Sequence, residues 1–400
     1  MITENLIGSV NKGNEVFYIA EYFKNSNNSS ILYIGRNDKE IFDIKNKLEW
    51  LIPSAEISIY RSWDQIPYDS VSPSKEIQSE RIKTLYKILN NSNKKNIIIT
   101  SVNAILQKTV DIEFLKRNIV EISINLEINF DQLIKQLVFL GYQRTSVVRE
   151  KSEFAIRGSI IDIFLIDFIN PIRLDFFDQQ IESISEFDKI TQKTNKKIYK
   201  KILINPSSEL LLNKNSLNLF RKSFRKIFPN YRHSQIYNLF SESIIPAGGE
   251  NFLPLFFKST STIFFYCSDY HIILNSDFEN LFETRIENLN DFYTAREETG
   301  DKFHLSPKYL YLNDKELKNI LKIFSIKKLH EYKLDNYDNF EIKKISNLSS
   351  IKKEVDFKFI NHFFNINKKK HIIICTRSKG SLLRIKKILF DQLELDLFII

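Results

Sequence analysis

The sequence predicts an α/β protein: a parallel-sheet body, split by a β-rich α+β insert and followed by a partial small α/β domain. Three observations carry this. Residues 1 to about 115 alternate helical patterns with short apolar runs, as in a parallel sheet covered by helices. Arg149–Thr194 switches to period two, the periodicity of strands. From about residue 203 helical patterns return with apolar runs between them.

The first half of the body is assigned to residues 1–120. Its helices are predicted at Glu15–Asn25, Asp38 to about Leu51, and Glu76–Asn90, where Ile77, Ile82, Leu85 and Leu89 recur near the helical period. Its strands are Ile31–Gly35, Ile57–Tyr60 and Asn96–Thr100. The start reads as a loop running directly into a helix. The insert covers 121–202. It opens with a helix over Asp131–Leu140 that stops at Gly141. A three-stranded antiparallel meander over Arg149–Thr194 follows.

The second half of the body is 203–315. It holds helices at Ser216–Ile227 and Gln235–Ser243, a turn at Pro246–Gly249, and apolar strands at Thr262–Tyr266 and His271–Leu274. Residues 316–345 are charged and weakly patterned, and read as a linker. Residues 346–400 begin another α/β unit, with helices at Asp356–Phe364 and Lys379–Phe390 and a strand at His371–Cys375. The closing LELDLFII resembles a strand begun, so the natural protein is expected to continue.

Composition narrows the function. With 43% hydrophobic and 13% aromatic residues the 400-residue chain buries real cores. Cys267 and Cys375 give no disulfide framework and no metal spacing, which fits a reducing compartment. No signal peptide or membrane-length apolar run is present, so a cytoplasmic protein without membrane contact is expected. The net charge of +9 is compatible with a nucleic-acid or acidic partner, but the reading preferred is a by-product of an Ile-, Lys-, Asn- and Phe-rich composition, with lysines scattered and no helix face collecting them. The six histidines are dispersed, and neither a catalytic triad nor a zinc site is expected.

Gly8 and Gly13 have the spacing of a phosphate-binding loop, G-x-x-x-x-G-K-[ST]. Lysine and a hydroxyl should follow, to reach the phosphates and hold Mg²⁺. Asn14 and Glu15 stand there instead. The body is therefore read as P-loop-like and helicase-type, but degenerate. The magnesium-binding acid expected at a strand end is also missing, since His271–Leu274 runs into Asn275 and Ser276. The plainer alternative is that Gly8 and Gly13 only shape a loop and a helix start. Both readings predict no catalytic residue and no cofactor site in this chain.

The meander carries the strongest surface signal. Ile172, Leu174 and Phe176 fall on one side of a strand, and Arg173, Asp175 and Phe177 on the other. A phenylalanine on a polar face beside arginine is a protein-contact signature. The alternative for Arg157 and Arg173 is a solvated face paired with Asp175 or Glu182. Arg144 and Arg149 either widen a basic rim or are merely solvated. Trp63 and Tyr68 either stack bases or, beside the Pro67 turn, pack a loop onto the sheet.

Together these pieces resemble the bacterial transcription-repair coupling factors. Arg61–Asp69 (RSWDQIPYD), Ser72-Pro73-Ser74 and Arg81 look like one characteristic region of that family. Phe154–Gly158, Ile161–Phe164, Arg173–Phe177, Ile181–Ile184, Phe187-Asp188 and Thr191-Gln192 look like its UvrB-homology module. Gly248–Glu250 and Leu253–Leu255 fit its second α/β half. The likeness covers residues 1 to about 315 well. Ser152 and Ser159 stand where the family usually has glycine. The excision subunit UvrB shares the insert, but it keeps an intact phosphate loop and a long DNA-binding hairpin for which Trp63–Thr100 looks too short.

The resemblance implies that the insert binds UvrA, with Arg157, Arg173 and Phe177 at the contacting positions. It implies that RNA polymerase and DNA are engaged by further C-terminal domains outside residues 1–400. There an ATP- and Mg-dependent translocase motor would also lie. The function implied is a UvrA-recruiting, regulatory region in transcription-coupled nucleotide excision repair. Two other readings are a UvrB-like repair ATPase and a plain DNA-binding protein.

Overall fold

The computed structural model describes residues 4–26, 29–90, 94–340, 357–367 and 378–394, with isolated positions between the last segments. Two compact units are present, residues 1–341 and 342–400.

The first unit is built on a seven-stranded sheet in which every neighbouring pair is parallel. Its strands are β1 (Glu4–Gly8), β2 (Ile31–Gly35), β3 (Glu56–Tyr60), β4 (Asn96–Ser101), β13 (His271–Leu274), β14 (Ile326–Leu329) and β15 (Asp338–Asn339). The order is β15-β1-β14-β13-β2-β4-β3. Strands β2 and β4 are buried along their whole length, as expected of strands covered on both faces. One layer of helices, Glu15–Asn25 and Asp38–Leu51, packs Ile19, Phe23, Ile41 and Leu48 against one face. The helix Lys75–Asn90 and the 21-residue helix Phe278–Glu298 cover the other with Ile82, Leu85, Phe278 and Phe282.

Several expectations are corrected here. The chain does not start strand-free: β1 precedes the glycine loop and pairs with β14. The 316–345 stretch supplies the helix Asp314–Leu321, β14 and β15 to the body. Its lysines hid it. Lys327 lies over the Tyr22 ring and Lys328 pairs with Glu279, so their stems are half-buried while their charges reach partners. Thr262–Tyr266 is not a strand. Thr262 stands at the N-cap position, without a side-chain capping bond, of a short helix, Ile263–Tyr266, in which Ile263, Phe264 and Tyr266 are buried and Phe265 is exposed. A short apolar run does not reveal its own period.

The insert leaves and rejoins the body through an antiparallel pair, β5 (Val120–Ser123) with β12 (Lys201–Ile204). Between them lies a six-stranded sheet of β6 (Gln143–Arg144), β7 (Glu153–Arg157), β8 (Ile160–Ile163), β9 (Ile172–Phe177), β10 (Gln180–Phe187) and β11 (Thr194–Ile198). The meander thus has five antiparallel strands, not three, and β6 adds in parallel at the edge. Ile172, Leu174 and Phe176 point inward onto the helix Phe130–Phe139, where Phe130 meets Phe176 edge to face at 5.0 Å. Each such buried side chain contributes about 2 kcal/mol.

A buried polar joint fixes the insert's exit to the body. The Glu209 carboxylate accepts from Arg81 Nε (3.0 Å), the Trp63 indole N–H (2.6 Å) and Thr109 Oγ1 (2.7 Å). Arg81 and Glu209 are both fully buried, and the guanidinium lies 4.3 Å from the Tyr60 ring centre. Burial opposes the Arg81 charge, but Glu209 outweighs it and holds the group protonated. Trp63 and Tyr68 are buried, so their packing role is the one observed.

The second unit contains the helices Phe357–Ile366 and Lys379–Leu393. The predicted strand His371–Cys375 and the closing LELDLFII lie outside the described residues. Among the described residues, no helix is long and apolar enough to cross a membrane.

Candidate functional site

The outward face of the insert sheet is built by two tight hairpins. Arg157 and Ile160 flank the two-residue turn Gly158-Ser159, and Gly158 has φ +59°, which a primed turn requires at its first central position. Phe177 and Gln180 flank Asp178-Gln179, with Asp178 at φ 54°. Ladder registers Arg157↔Ile160, Ile160↔Asp175 and Asp162↔Arg173 then place Arg157, Arg173, Asp175 and Phe177 on one face. The alternation read in the sequence is the one observed. Phe177 is 73% exposed, and Ile198 on β11 adds a second exposed apolar side chain to this face.

The arginines are held by neighbours that the sequence did not reveal. Asp162, fully buried, grips Arg173 with both oxygens, at 2.8 Å from Nε and 2.9 Å from Nη2. Asp175 is not the partner: it accepts from Ser183 Oγ at 2.7 Å. The Arg173 guanidinium sits 4.7 Å above the Phe187 ring and donates Nη1–H to Thr194 Oγ1. Hydrogen bonding to Asp162 pushes its pKa up, so it stays charged. Arg157 Nη2 donates to Gln192 Oε1 at 2.9 Å, while Gln192 itself donates to the Lys189 carbonyl. Arg144 and Arg149 are exposed. The face is therefore pre-arranged: two anchored guanidiniums and an exposed phenylalanine share it. Only the turn geometry, which sets the register, brings Asp162 opposite Arg173.

The glycine loop of the body has different geometry. A Cβ on Gly8 would lie 2.1 Å from Asn339 Oδ1, so this glycine is required by packing against 332–339. Gly13 has φ +92° in open space. Four of the loop's amides are spent on the protein itself. Ser9 N–H donates to the Tyr332 carbonyl, Val10 N–H to His330, Asn14 N–H to Asn11, and Gly13 N–H to Glu15 Oε2 at 2.6 Å. The Glu15 carboxylate thus accepts an amide of its own loop. At the same sheet edge Arg36 is surrounded by Asp277 (3.2 Å), Glu331 (3.5 Å) and Glu40 (3.8 Å). Burial pushes the Glu40 carboxyl up, against the pull of Arg36. Asn275 bonds the Ile34 carbonyl at 2.9 Å. Among the described residues no group of three or more His, Cys, Asp or Glu is arranged to hold a metal ion.

The architecture defines a parallel-sheet α/β body carrying a UvrB-type module, and residues 120–210 match the UvrB interaction domain. The chain is 31% identical to the transcription-repair-coupling factor of Rickettsia prowazekii (strain Madrid E) over 392 residues, 93% of this chain and 34% of that protein. The Haemophilus influenzae factor is 28% identical over 80% of this chain and 28% of its own length. The Escherichia coli (strain K12) factor is 34% identical over 49% of this chain and 17% of its own length. Over nearly its whole length, then, the chain is a homologue of the N-terminal part of transcription-repair-coupling factors. It spans about a third of the length of the Rickettsia prowazekii and Rickettsia conorii relatives it matches.

Proposed function

We propose that this region recruits UvrA in transcription-coupled repair, through the face formed by Arg157, Arg173 and Phe177. The single observation that carries the reading is that one strand face presents both a solvent-exposed Phe177 and, four residues before it, a guanidinium fixed by Asp162. An exposed aromatic beside an ordered arginine is the anchor chemistry of protein interfaces, and its ordering cost is already met. The matched domain family and the coupling-factor relatives support the assignment.

The body acts as a scaffold and hydrolyses no ATP in this reading. Asn14 has no charge for phosphate, and Glu15 occupies the amide that an anion would need. ATP-driven translocation on DNA and RNA polymerase binding are, in this reading, not functions of residues 1–400. The test is calorimetric titration of UvrA into this chain. Arg173→Ala with Phe177→Ala should weaken binding by about 2–4 kcal/mol or more. Unchanged affinity would rule out this face as the docking site.

A further inference from the structure

A second cationic surface lies outside the insert. Between Glu209 and Glu242 the sequence contains no Asp or Glu at all, but it holds Lys214, Arg221, Lys222, Arg225, Lys226 and Arg232. At the chain's mean of 49 acidic residues in 400, a run of this length would hold about four. Five of these six residues lie on the helix Lys214–Ile227, which has a buried face of Ser216, Leu217, Phe220 and Phe224. At 3.6 residues per turn the five fall within about half the wheel, opposite that buried face. This corrects the expectation that no helix face collects the basic residues.

The face is ordered and unneutralised. Arg225 donates to the Tyr237 hydroxyl at 2.7 Å and lies 5.1 Å from the Tyr231 ring centre. Arg221 donates to the Ser241 carbonyl at 2.9 Å. Lys214, Lys222 and Lys226 have no ion-pair partner among the described residues. Asp301, on the segment whose Phe303 packs against Phe224 and Phe228, is paired with Arg296 at 2.7 Å. Hydrogen bonding from Arg232 draws the half-buried Tyr231 phenol below its usual range, in keeping with a positive local field.

We propose that this helix face binds the phosphate backbone of a nucleic acid, without reading its sequence. Charge alone would also suit an acidic protein. Protein interfaces, however, are centred on apolar or aromatic anchors. No large hydrophobic side chain is exposed between Ile198 and Ile244, so the helix itself offers no such anchor. Phosphate contacts need only Lys and Arg side chains and neutral donors such as Asn215 and Asn218 between them.

The experiment is fluorescence anisotropy of a labelled mixed-sequence DNA duplex titrated with the chain, from about 50 to 200 mM salt. Lys222→Gln with Lys226→Gln should lower affinity at least about tenfold and flatten the log–log salt slope by about 2. Lys214→Gln with Arg232→Gln provides a second, independent pair with the same expectation. Unchanged thermal midpoints and unchanged UvrA affinity keep the effect local. No duplex binding by the parent chain overturns the proposal, as does an unaltered slope in both pairs. Tighter binding of polyglutamate than of the duplex overturns it in favour of an acidic protein partner.

Discussion

Two arginine-bearing faces of this molecule differ in what accompanies the charge. On the insert sheet, Arg173 is clamped by a buried aspartate and flanked by exposed Phe177 and Ile198. On the helix Lys214–Ile227, the charges stand among asparagines and lysines with no exposed large hydrophobic residue. Arginine by itself does not specify a partner. An apolar anchor makes one face suited to a protein, and its absence leaves the other suited to a charged backbone.

The comparison depends on both faces being held by one frame. The largest expected effect therefore lies at neither face. Arg81→Ala would leave Glu209 buried without its charge partner, at the point where the chain passes from the insert into the acid-free run. A loss of about 3–5 kcal/mol in urea unfolding is expected. Both faces should lose binding together. If only one did, the two regions would not share the joint.

The smallest effect is in pH. Glu186 on β10 accepts from Asn170, Tyr199, Lys197 and Asn195, three of which belong to β11 or the residue after it. Burial pushes its carboxyl up, but those hydrogen bonds outweigh burial and hold the pKa at about 2 rather than 4.5. A depressed carboxyl stabilises above its unfolded pKa, and that contribution is lost as pH falls through the folded value. Between pH 5 and pH 2 the insert should lose on the order of 1 kcal/mol through this group, after screening. Glu186→Gln should remove that component of the pH dependence. A pH profile identical to the parent's would mean the cage contributes nothing.

Much of this was legible in the sequence. Continuous apolar runs such as Ile31–Gly35 and Asn96–Ser101 announce buried parallel strands, and alternation in Ile172–Phe177 sorts core from surface. Legibility failed where side chains serve two purposes. Strand β14 is half lysine, and its stems pack while its charges reach Tyr22 and Glu279. It also failed where contacts depend on register. The clamp of Asp162 on Arg173, and that of Gln192 on Arg157, follow from hairpin geometry that residue types do not encode. The charge of the 210–241 run was visible in the letters, but its concentration on one exposed face emerged only with the buried face of the helix in place.

The most direct measurement is UvrA affinity for Phe177→Ala alone, compared at low and high salt. The anchor role of Phe177 predicts a loss of about 2 kcal/mol that persists at high salt, because an apolar contact is not screened. An affinity equal to the parent's, or a loss confined to low salt, would contradict the distinction between the two faces.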